Sequence, residues 1–200
     1  MIENFSDHNI FHTQLFREFK IQNMLEFGLG QATEQFLREV PKVTSLEIYT
    51  DDKKAEETLK ISGPQWAEKF KKEFNNPDWR VIMVRAGVGI MHAEYQVTGH
   101  STSPRGANPE ATAYLKEIDD IVASLTEPYD YVFVDAGIHL RGDIVNALFQ
   151  RFPIIGAHDT NDRQIYGYER VKVPSNYQER RHLSGCGVTF WIKKHEVSSH

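Results

Sequence analysis

Apolar and polar residues alternate along the chain in blocks that predict strands and helices in turn. Short apolar-rich runs, typical of strands buried on both faces of a sheet, occur at 24–27, 43–49, 80–85, 131–137 and 153–159. Between these runs, apolar residues recur every three or four positions, which predicts helices. Five strands separated by helices or long crossovers indicate an α/β protein with a mostly parallel sheet and helices on both faces.

The helical segments differ in length and in how clearly their ends are marked. Residues 7–20 are predicted to form an amphipathic lead-in helix, and residues 32–39 a second helix with Phe36 facing inward. Residues 53–75 are predicted to form two helical pieces, because the Ser62–Gly63–Pro64 sequence breaks the pattern. The later helices have these expected inward positions: Ala111, Leu115, Ile118, Ile121, Val122 and Leu125 after a cap at Asn108–Pro109, and Ile144, Val145, Leu148 and Phe149 after the fourth strand.

Two further strands are predicted in the C-terminal part, near 168–173 and at 187–193. Because no helix separates them, we expect an antiparallel hairpin at one edge of the sheet. The whole chain, 1–200, is then one domain with a seven-stranded sheet whose last strand is antiparallel. Ligands of such sheets bind beyond the C-terminal ends of the strands, so the residues that follow each strand are the candidates for function.

Composition limits the classes of function. The chain is 40% hydrophobic and 26% charged, and its net charge of −5 argues against broad nucleic-acid binding. No apolar run approaches the ~20 residues of a membrane span, and the first residues lack the pattern of a secretory signal. The single cysteine, Cys186, allows no internal disulfide, which fits a cytoplasmic location.

The segment NMLEFGLGQATEQFL, 23–37, combines a strand, a glycine-containing turn and a helix. Gly28 and Gly30 allow close approach of a ligand to the backbone, and the helix that follows offers free N–H groups. Glu47 lies 19 residues after Gly28, at the end of the second strand, where a carboxylate can accept hydrogen bonds from a ribose. These features fit NAD or S-adenosylmethionine, and a simple tight turn is the alternative.

Two residues favour S-adenosylmethionine over NAD. The NAD fingerprint requires a third Gly or Ala where this chain has Thr33. Glu26, in the turn itself, would repel a pyrophosphate, whereas the ammonium and sulfonium groups of S-adenosylmethionine are both cationic. The alternative is that Glu26 is a solvated residue at the end of the strand.

The stretches LEFGLGQAT and LEIYTDD, with the seven-strand order, resemble the class I S-adenosylmethionine-dependent methyltransferases over residues 23–193. The resemblance implies a Rossmann-like fold, with Glu26, Gly28 and Gly30 at the methionine part and Glu47 at the ribose. The family often has an acidic or polar residue near the adenine where this chain has Arg85–Ala86, so the 87–108 loop is an alternative source of that contact. The full set expected at the cofactor is Glu26, Gly28, Gly30, Gln31, Thr33, Glu47, Ile48, Ala86 and Asp135.

Acidic residues follow the fourth and fifth strands. Asp135 and Asp159 lie at neighbouring strand ends, ~5–10 Å apart in a parallel sheet, and could share a divalent ion such as Mg²⁺. His158 would favour a softer metal. The pattern Asp135, His139, Gly142, Asp143 and His158–Asp159 resembles the metal-dependent O-methyltransferases, of the catechol type and of the macrocin O-methyltransferase and cephalosporin hydroxylase-like group.

Methyl transfer to oxygen requires a positioned and deprotonated acceptor. A metal at Asp135, His158 and Asp159 would lower the acceptor's pKa, and His139 is the candidate base. Structural alternatives remain for each residue: a helix cap for Asp135, a bond to a local carbonyl for His139 and packing for His158.

We therefore expect an S-adenosylmethionine-dependent methyltransferase acting on oxygen of a small molecule. Whether a divalent metal assists the reaction is left open by the sequence. An aminopropyltransferase-like reaction and a non-catalytic partner subunit are the alternatives. The 87–108 loop is expected to select the acceptor, and the lead-in helix to act as a lid or as a homodimer contact.

Overall fold

We analysed a computed structural model of the chain, in which residues 8–49, 63–91, 113–136 and 139–194 are described. The predicted first piece of the 53–75 helical segment, the helix start at Asn108–Pro109 and most of the 87–108 loop lie outside these residues. No helix in the described ranges is long and apolar enough to cross a lipid bilayer.

Seven strands form one sheet in the order β3-β2-β1-β4-β5-β7-β6. The strands β1 to β5 are mutually parallel, and β7 is antiparallel to both β5 and β6. This topology confirms the predicted mostly parallel sheet with an antiparallel last strand. The bounds are β1 Asn23–Phe27, β2 Lys42–Tyr49, β3 Arg80–Arg85, β4 Tyr131–Val134, β5 Ile154–His158, β6 Tyr177–His182 and β7 Val188–Lys193.

Helices cover both faces of the sheet, and each face has its own apolar core. The core on one face contains Val145 and Leu148, and the core on the other contains Leu15 and Phe36. The helices are α1 Asn9–Phe19, α2 Gln31–Glu39, α3 Pro64–Phe74, α4 Val88–Met91, α5 Ala113–Ser124 and α6 Arg141–Leu148, with a 3₁₀ helix at Tyr168–Arg170.

Two sequence predictions are wrong in detail. The strand expected near 168–173 is the 3₁₀ helix, and the strand that pairs with β7 is instead β6. Leu115, expected to face inward, is 40% exposed, because α5 packs through Tyr114, Ile118 and Val122.

Parallel pairing brings the chemistry-bearing residues to one end of the sheet. The β1 pairs with both β2 and β4, and β4 pairs with β5 in parallel. The segments that follow β1, β4 and β5, together with the end of β2, therefore lie at the same edge, where open α/β sheets bind ligands.

Candidate active site

The turn between β1 and α2 contains two glycines in different environments. Gly28 has φ +88°, and a Cβ on it would lie 2.8 Å from backbone atoms of Ala136. Its N–H donates to the carbonyl of Leu46 at 2.8 Å. Gly30 is extended, and a Cβ on it would meet nothing within 4 Å. Gly28 is therefore required by the packing of the turn, whereas Gly30 borders open space.

Glu26 holds this turn from inside the protein. Its side chain is buried, and its Oε1 accepts a hydrogen bond from the Thr33 hydroxyl at 2.7 Å and another from the Ser45 hydroxyl. Thr33 in turn accepts the N–H of Gly30 at 3.0 Å, and Ser45 accepts the indole N–H of Trp79 at 2.7 Å. The alternative of a solvated Glu26 is thus wrong, because solvent does not reach the side chain.

Glu47 reaches the same turn from β2. It is 3% exposed, and its Oε2 accepts the N–H of Leu29 at 3.0 Å. The carbonyl of Leu29 accepts the indole N–H of Trp66 at 2.9 Å. Both peptide groups of Leu29 are therefore fixed by side chains, and the carboxylate of Glu47 lies beside the glycine-containing turn.

Burial raises the pKa of Glu26 to about 8, although its two hydroxyl donors act in the opposite direction. Burial likewise raises the pKa of Glu47 to about 8; the N–H of Leu29 opposes this, and the charges of Glu26 and Asp135 add to it. Three acids thus repel one another at one edge of the sheet. Their shared field favours a bound cation and disfavours an anion.

Asp135 and Asp159, predicted to converge, do so on the guanidinium of Arg141. Nη1 of Arg141 lies 2.9 Å from Oδ1 of Asp135 and 2.7 Å from Oδ2 of Asp159. Arg141 is the first residue of α6 and is only 7% exposed. The ring of Tyr166 lies 4.4 Å from the guanidinium carbon.

His158 is next to this ion-pair cluster. Its Nδ1 lies 3.4 Å from Oδ1 of Asp135 and 3.7 Å from Oδ2 of Asp159. Burial lowers the pKa of His158, but the two carboxylates outweigh it, and the pKa lies above its ordinary value. Burial would raise the pKa of Asp135, but Arg141 and His158 outweigh it and keep that pKa below its ordinary value.

A divalent ion shared by Asp135 and Asp159 does not fit this arrangement. The two carboxylate oxygens that would bind it both contact the same Arg141 nitrogen. The metal set of Asp135, His158 and Asp159 stays a prediction that this bridge does not favour. Among the described residues, the group of three donor atoms that all lie within 4.8 Å of one another comes from His158, Asp159 and Cys186. Cys186 reaches this position because the loop between β6 and β7 is hydrogen-bonded to the segment after β5.

His139, the predicted base, is buried, and its Nδ1 lies 2.9 Å from the carbonyl oxygen of Ile165. Since a carbonyl only accepts, Nδ1 carries the proton and Nε2 is the basic atom. The contact also matches the structural alternative of a bond to a local carbonyl. Its catalytic role stays a prediction, and His158 joins it as a candidate because it contacts Asp135 directly.

The other predicted cofactor residues occupy varied environments. Gln31 is exposed at the start of α2, and Ile48 is half-buried near the end of β2. Ala86 is buried in the apolar core, and its N–H donates to the carbonyl of Tyr49 at 2.7 Å. Their contacts with a cofactor stay predictions.

Sequence reasoning missed the role of Arg141 and the approach of α1 to the site. The ring of His8 lies 4.4 Å from the ring of His158, and fully buried His12 bonds the hydroxyl of Tyr131 at 3.0 Å. The signal for α1 was two histidines four residues apart at the start of the amphipathic lead-in helix. For Arg141 it was a basic residue in the first turn of a helix, where the dipole disfavours positive charge.

Comparisons with family models and with curated proteins found no match. Among solved structures, an O-methyltransferase from Bacillus cereus in complex with SAH has a TM-score of 0.58 at 16% identity, over 96% of this chain and 84% of that one. A putative caffeoyl-CoA O-methyltransferase from Staphylococcus aureus has a TM-score of 0.55 at 16% identity, over 92% and 81%. An SAH-bound methyltransferase from Podospora anserina has a TM-score of 0.56 at 13% identity, over 92% of this chain and 76% of that one. These likenesses establish the fold as the Rossmann-like one of these methyltransferases.

Proposed function

We propose that the protein is an S-adenosylmethionine-dependent methyltransferase that methylates oxygen of a small molecule. The observation that carries the proposal is the group of three acids at the edge of a methyltransferase-like sheet, two of them with pKa values raised to about 8. A sulfonium and an ammonium would relieve the repulsion among these acids, whereas a pyrophosphate would increase it. The solved structures of the same fold with bound SAH support the same cofactor class.

In this proposal the cofactor lies along the turn after β1. Gly30 borders the open space, so the backbone approaches the methionine part there, with Gln31 and Thr33 at the start of α2. The Glu47 carboxylate accepts hydrogen bonds from the ribose, and Ile48 and Ala86 supply apolar contact towards the adenine. Glu26 contributes charge and holds the turn, since its Oε1 is used by Thr33 and Ser45.

The acceptor would be positioned beside the ends of β4 and β5. Most of the rate of an in-line methyl transfer comes from this positioning. His139 and His158 are the candidate bases, and Asp135 orients His158 through the contact at Nδ1. We also propose a single domain in the reducing cytoplasm, consistent with a single cysteine, Cys186, that allows no internal disulfide. A homodimer through α1 is proposed as well, because Ile10 of this helix is 59% exposed.

Calorimetry with S-adenosylmethionine and S-adenosylhomocysteine tests the cofactor assignment. We expect saturable binding to the wild type, weakened about thirtyfold in Glu47→Gln, because a charged acceptor of ribose hydroxyls is worth about 2 kcal/mol. Glu34→Gln, at an exposed position on α2, is the matched control and should bind as the wild type does. No heat with either ligand at millimolar concentration would refute the proposal.

Methyl transfer to a panel of catechols, sugars and hydroxy acids tests the reaction. Transfer of label from the cofactor to an acceptor oxygen is the expected result. Cofactor binding without transfer to any acceptor would instead favour a non-catalytic partner subunit.

A further inference from the structure

One nitrogen atom bridges the two acids that directly follow β4 and β5. Nη1 of Arg141 contacts Oδ1 of Asp135 at 2.9 Å and Oδ2 of Asp159 at 2.7 Å. A single positive atom between carboxylates from neighbouring strands is the arrangement that a shared divalent ion would produce. We propose that Arg141 is the resident cation of this site and takes the place of a metal ion.

The surroundings of Arg141 support a permanent structural position. The residue is 7% exposed, and its guanidinium lies over the ring of Tyr166. Since Arg remains protonated in proteins, the charge is fixed and does not depend on pH or on metal supply. Asp159 adopts φ +56°, so its backbone is held in the left-handed region while its carboxylate contacts Arg141.

The position of the guanidinium also disfavours a second cation at the same two carboxylate oxygens. An ion bonded to both carboxylate oxygens would need the volume that Nη1 fills, and it would lie against a positive charge. The donor atoms of His158, Asp159 and Cys186 form a neighbouring set, but Asp159 already neutralises Arg141 there. We therefore expect the wild type to organise this edge of the sheet without a metal.

The inference deepens the proposed function and rests on it for its chemical meaning. Arg141 is a positioning residue: it fixes Asp135 and Asp159, which in turn hold His158. Without an ion bound to the acceptor oxygen, removal of the acceptor's proton depends on a histidine base, and methyl transfer should be indifferent to chelators.

Titration with Mn²⁺, followed by electron paramagnetic resonance without cofactor, tests the inference. The wild type should bind no stoichiometric Mn²⁺ at micromolar concentration. Arg141→Ala should bind Mn²⁺ at least tenfold more tightly than the wild type, because it frees two carboxylates, and Asp159→Asn in the same background should abolish the gain. Arg141→Lys should resemble the wild type, because the bridge uses one nitrogen and an ammonium can supply it.

Several results would overturn the inference. One equivalent of Mn²⁺ bound by the wild type and lost in Asp159→Asn would show a metal site beside Arg141. One equivalent of Zn²⁺ bound by the wild type and lost in Cys186→Ser would do the same for the neighbouring set. A folded Arg141→Ala protein, checked by circular dichroism, that binds Mn²⁺ no better than the wild type would also overturn it.

These measurements remain decisive if Arg141→Ala does not fold, since the wild-type titrations and Arg141→Lys need only the folded protein. Because they use no cofactor, failure of the cation inference is also distinguishable from failure of the cofactor assignment.

Discussion

Glu26 is an acid that solvent does not reach, and its charge is costly until a cation binds nearby. Its pKa of about 8, like that of Glu47, means that each side chain is mostly protonated at pH 6 without a ligand. A sulfonium and an ammonium favour the ionised forms, so binding of S-adenosylmethionine should release protons. S-adenosylhomocysteine lacks the sulfonium and should release fewer.

The pH dependence of cofactor binding follows from these two acids. Between pH 6.0 and 7.5 the affinity for S-adenosylmethionine should rise by up to about 25-fold for each acid that must be ionised, because the ionised fraction of a group with a pKa of about 8 increases from about 1% to about 24% over this range. The affinity for S-adenosylhomocysteine should rise less, and Glu26→Gln should reduce the dependence for both ligands, because only Glu47 then titrates in this range. Calorimetry in two buffers of different ionisation enthalpy measures the protons released. An equal rise for both ligands would contradict the assignment of the acids to the sulfonium.

Residues at the ends of strands were predictable, but their partners were not. The positions of Glu26, Glu47, Asp135 and Asp159 follow from strand ends that meet at one edge of a parallel sheet. The bridge by Arg141 depends on how the first turn of α6 is oriented, which local apolar patterns do not encode. The approach of Cys186 depends on hydrogen bonds between loops 25 or more residues apart, such as the one from Asn161 N–H to the carbonyl of Cys186.

At the scale of elements, the two glycines of the turn between β1 and α2 differ in role. Gly28 is required for packing, and Gly30 borders the space proposed for the cofactor. Gly28→Ala places a Cβ 2.8 Å from the backbone of Ala136 at a φ of +88°, so it should destabilise the fold by about 2 kcal/mol or more. Gly30→Ala meets nothing within 4 Å at an extended φ, and its stability should stay within about 0.5 kcal/mol of the wild type.

Cofactor binding should separate the same pair of variants. In Gly30→Ala the added methyl group enters the space proposed for the methionine part, so affinity should fall at least tenfold while stability is retained. Urea denaturation and calorimetry measure the two effects in parallel. Wild-type affinity in a stable Gly30→Ala protein would move the cofactor away from this turn.

The inner strands of the sheet were located well from the sequence, and the edge strand β6 was not. The strands β2 and β5 lie within about a residue of their predicted bounds, because each has a run of four or five buried residues. In contrast, β6 reads YQERRH with only Tyr177 buried, so the edge strand has no apolar pattern to mark it. The strand near 168–173 was predicted from apolar residues that instead belong to a 3₁₀ helix and the loop after it.

At the scale of the whole molecule, α1 connects the site to the far edge of the sheet. Its N-terminal end places His8 against His158, and its middle bonds β4 through His12 and Tyr131. Phe11 stacks on His182 of β6 with ring centroids 4.0 Å apart. The helix therefore covers β4, β5, β7 and β6 on one face, which makes it an integral layer of the fold, and its contact with His158 places it next to the proposed acceptor position.

The buried ionisable groups also set how the stability of the whole protein depends on pH. Glu26 and Glu47 have pKa values of about 8 when folded and ordinary values near 4.5 when unfolded. Between these values the folded state binds more protons, so stability falls as pH rises, by up to about 1.4 kcal/mol per pH unit for each acid. His12 has its pKa lowered to about 3 by burial, which acts in the opposite direction from pH 3 to 6.5.

Above about pH 5 the loss of stability from the two acids exceeds the gain from His12, and His12 no longer changes the stability above pH 6.5. The protein without cofactor should therefore be most stable near pH 5 and lose stability steadily towards pH 8. Urea denaturation at intervals of half a pH unit measures the profile.

Glu26→Gln should reduce the slope between pH 6.5 and 8 by about half, because it removes one of the two acids, while Glu34→Gln on the exposed face of α2 should leave it unchanged. Saturating S-adenosylmethionine should flatten the wild-type profile, because the bound cation lowers the pKa values of the acids. A stability that rises from pH 5 to 8, or a slope unaltered in Glu26→Gln, would contradict the placement of ionisable acids inside this sheet.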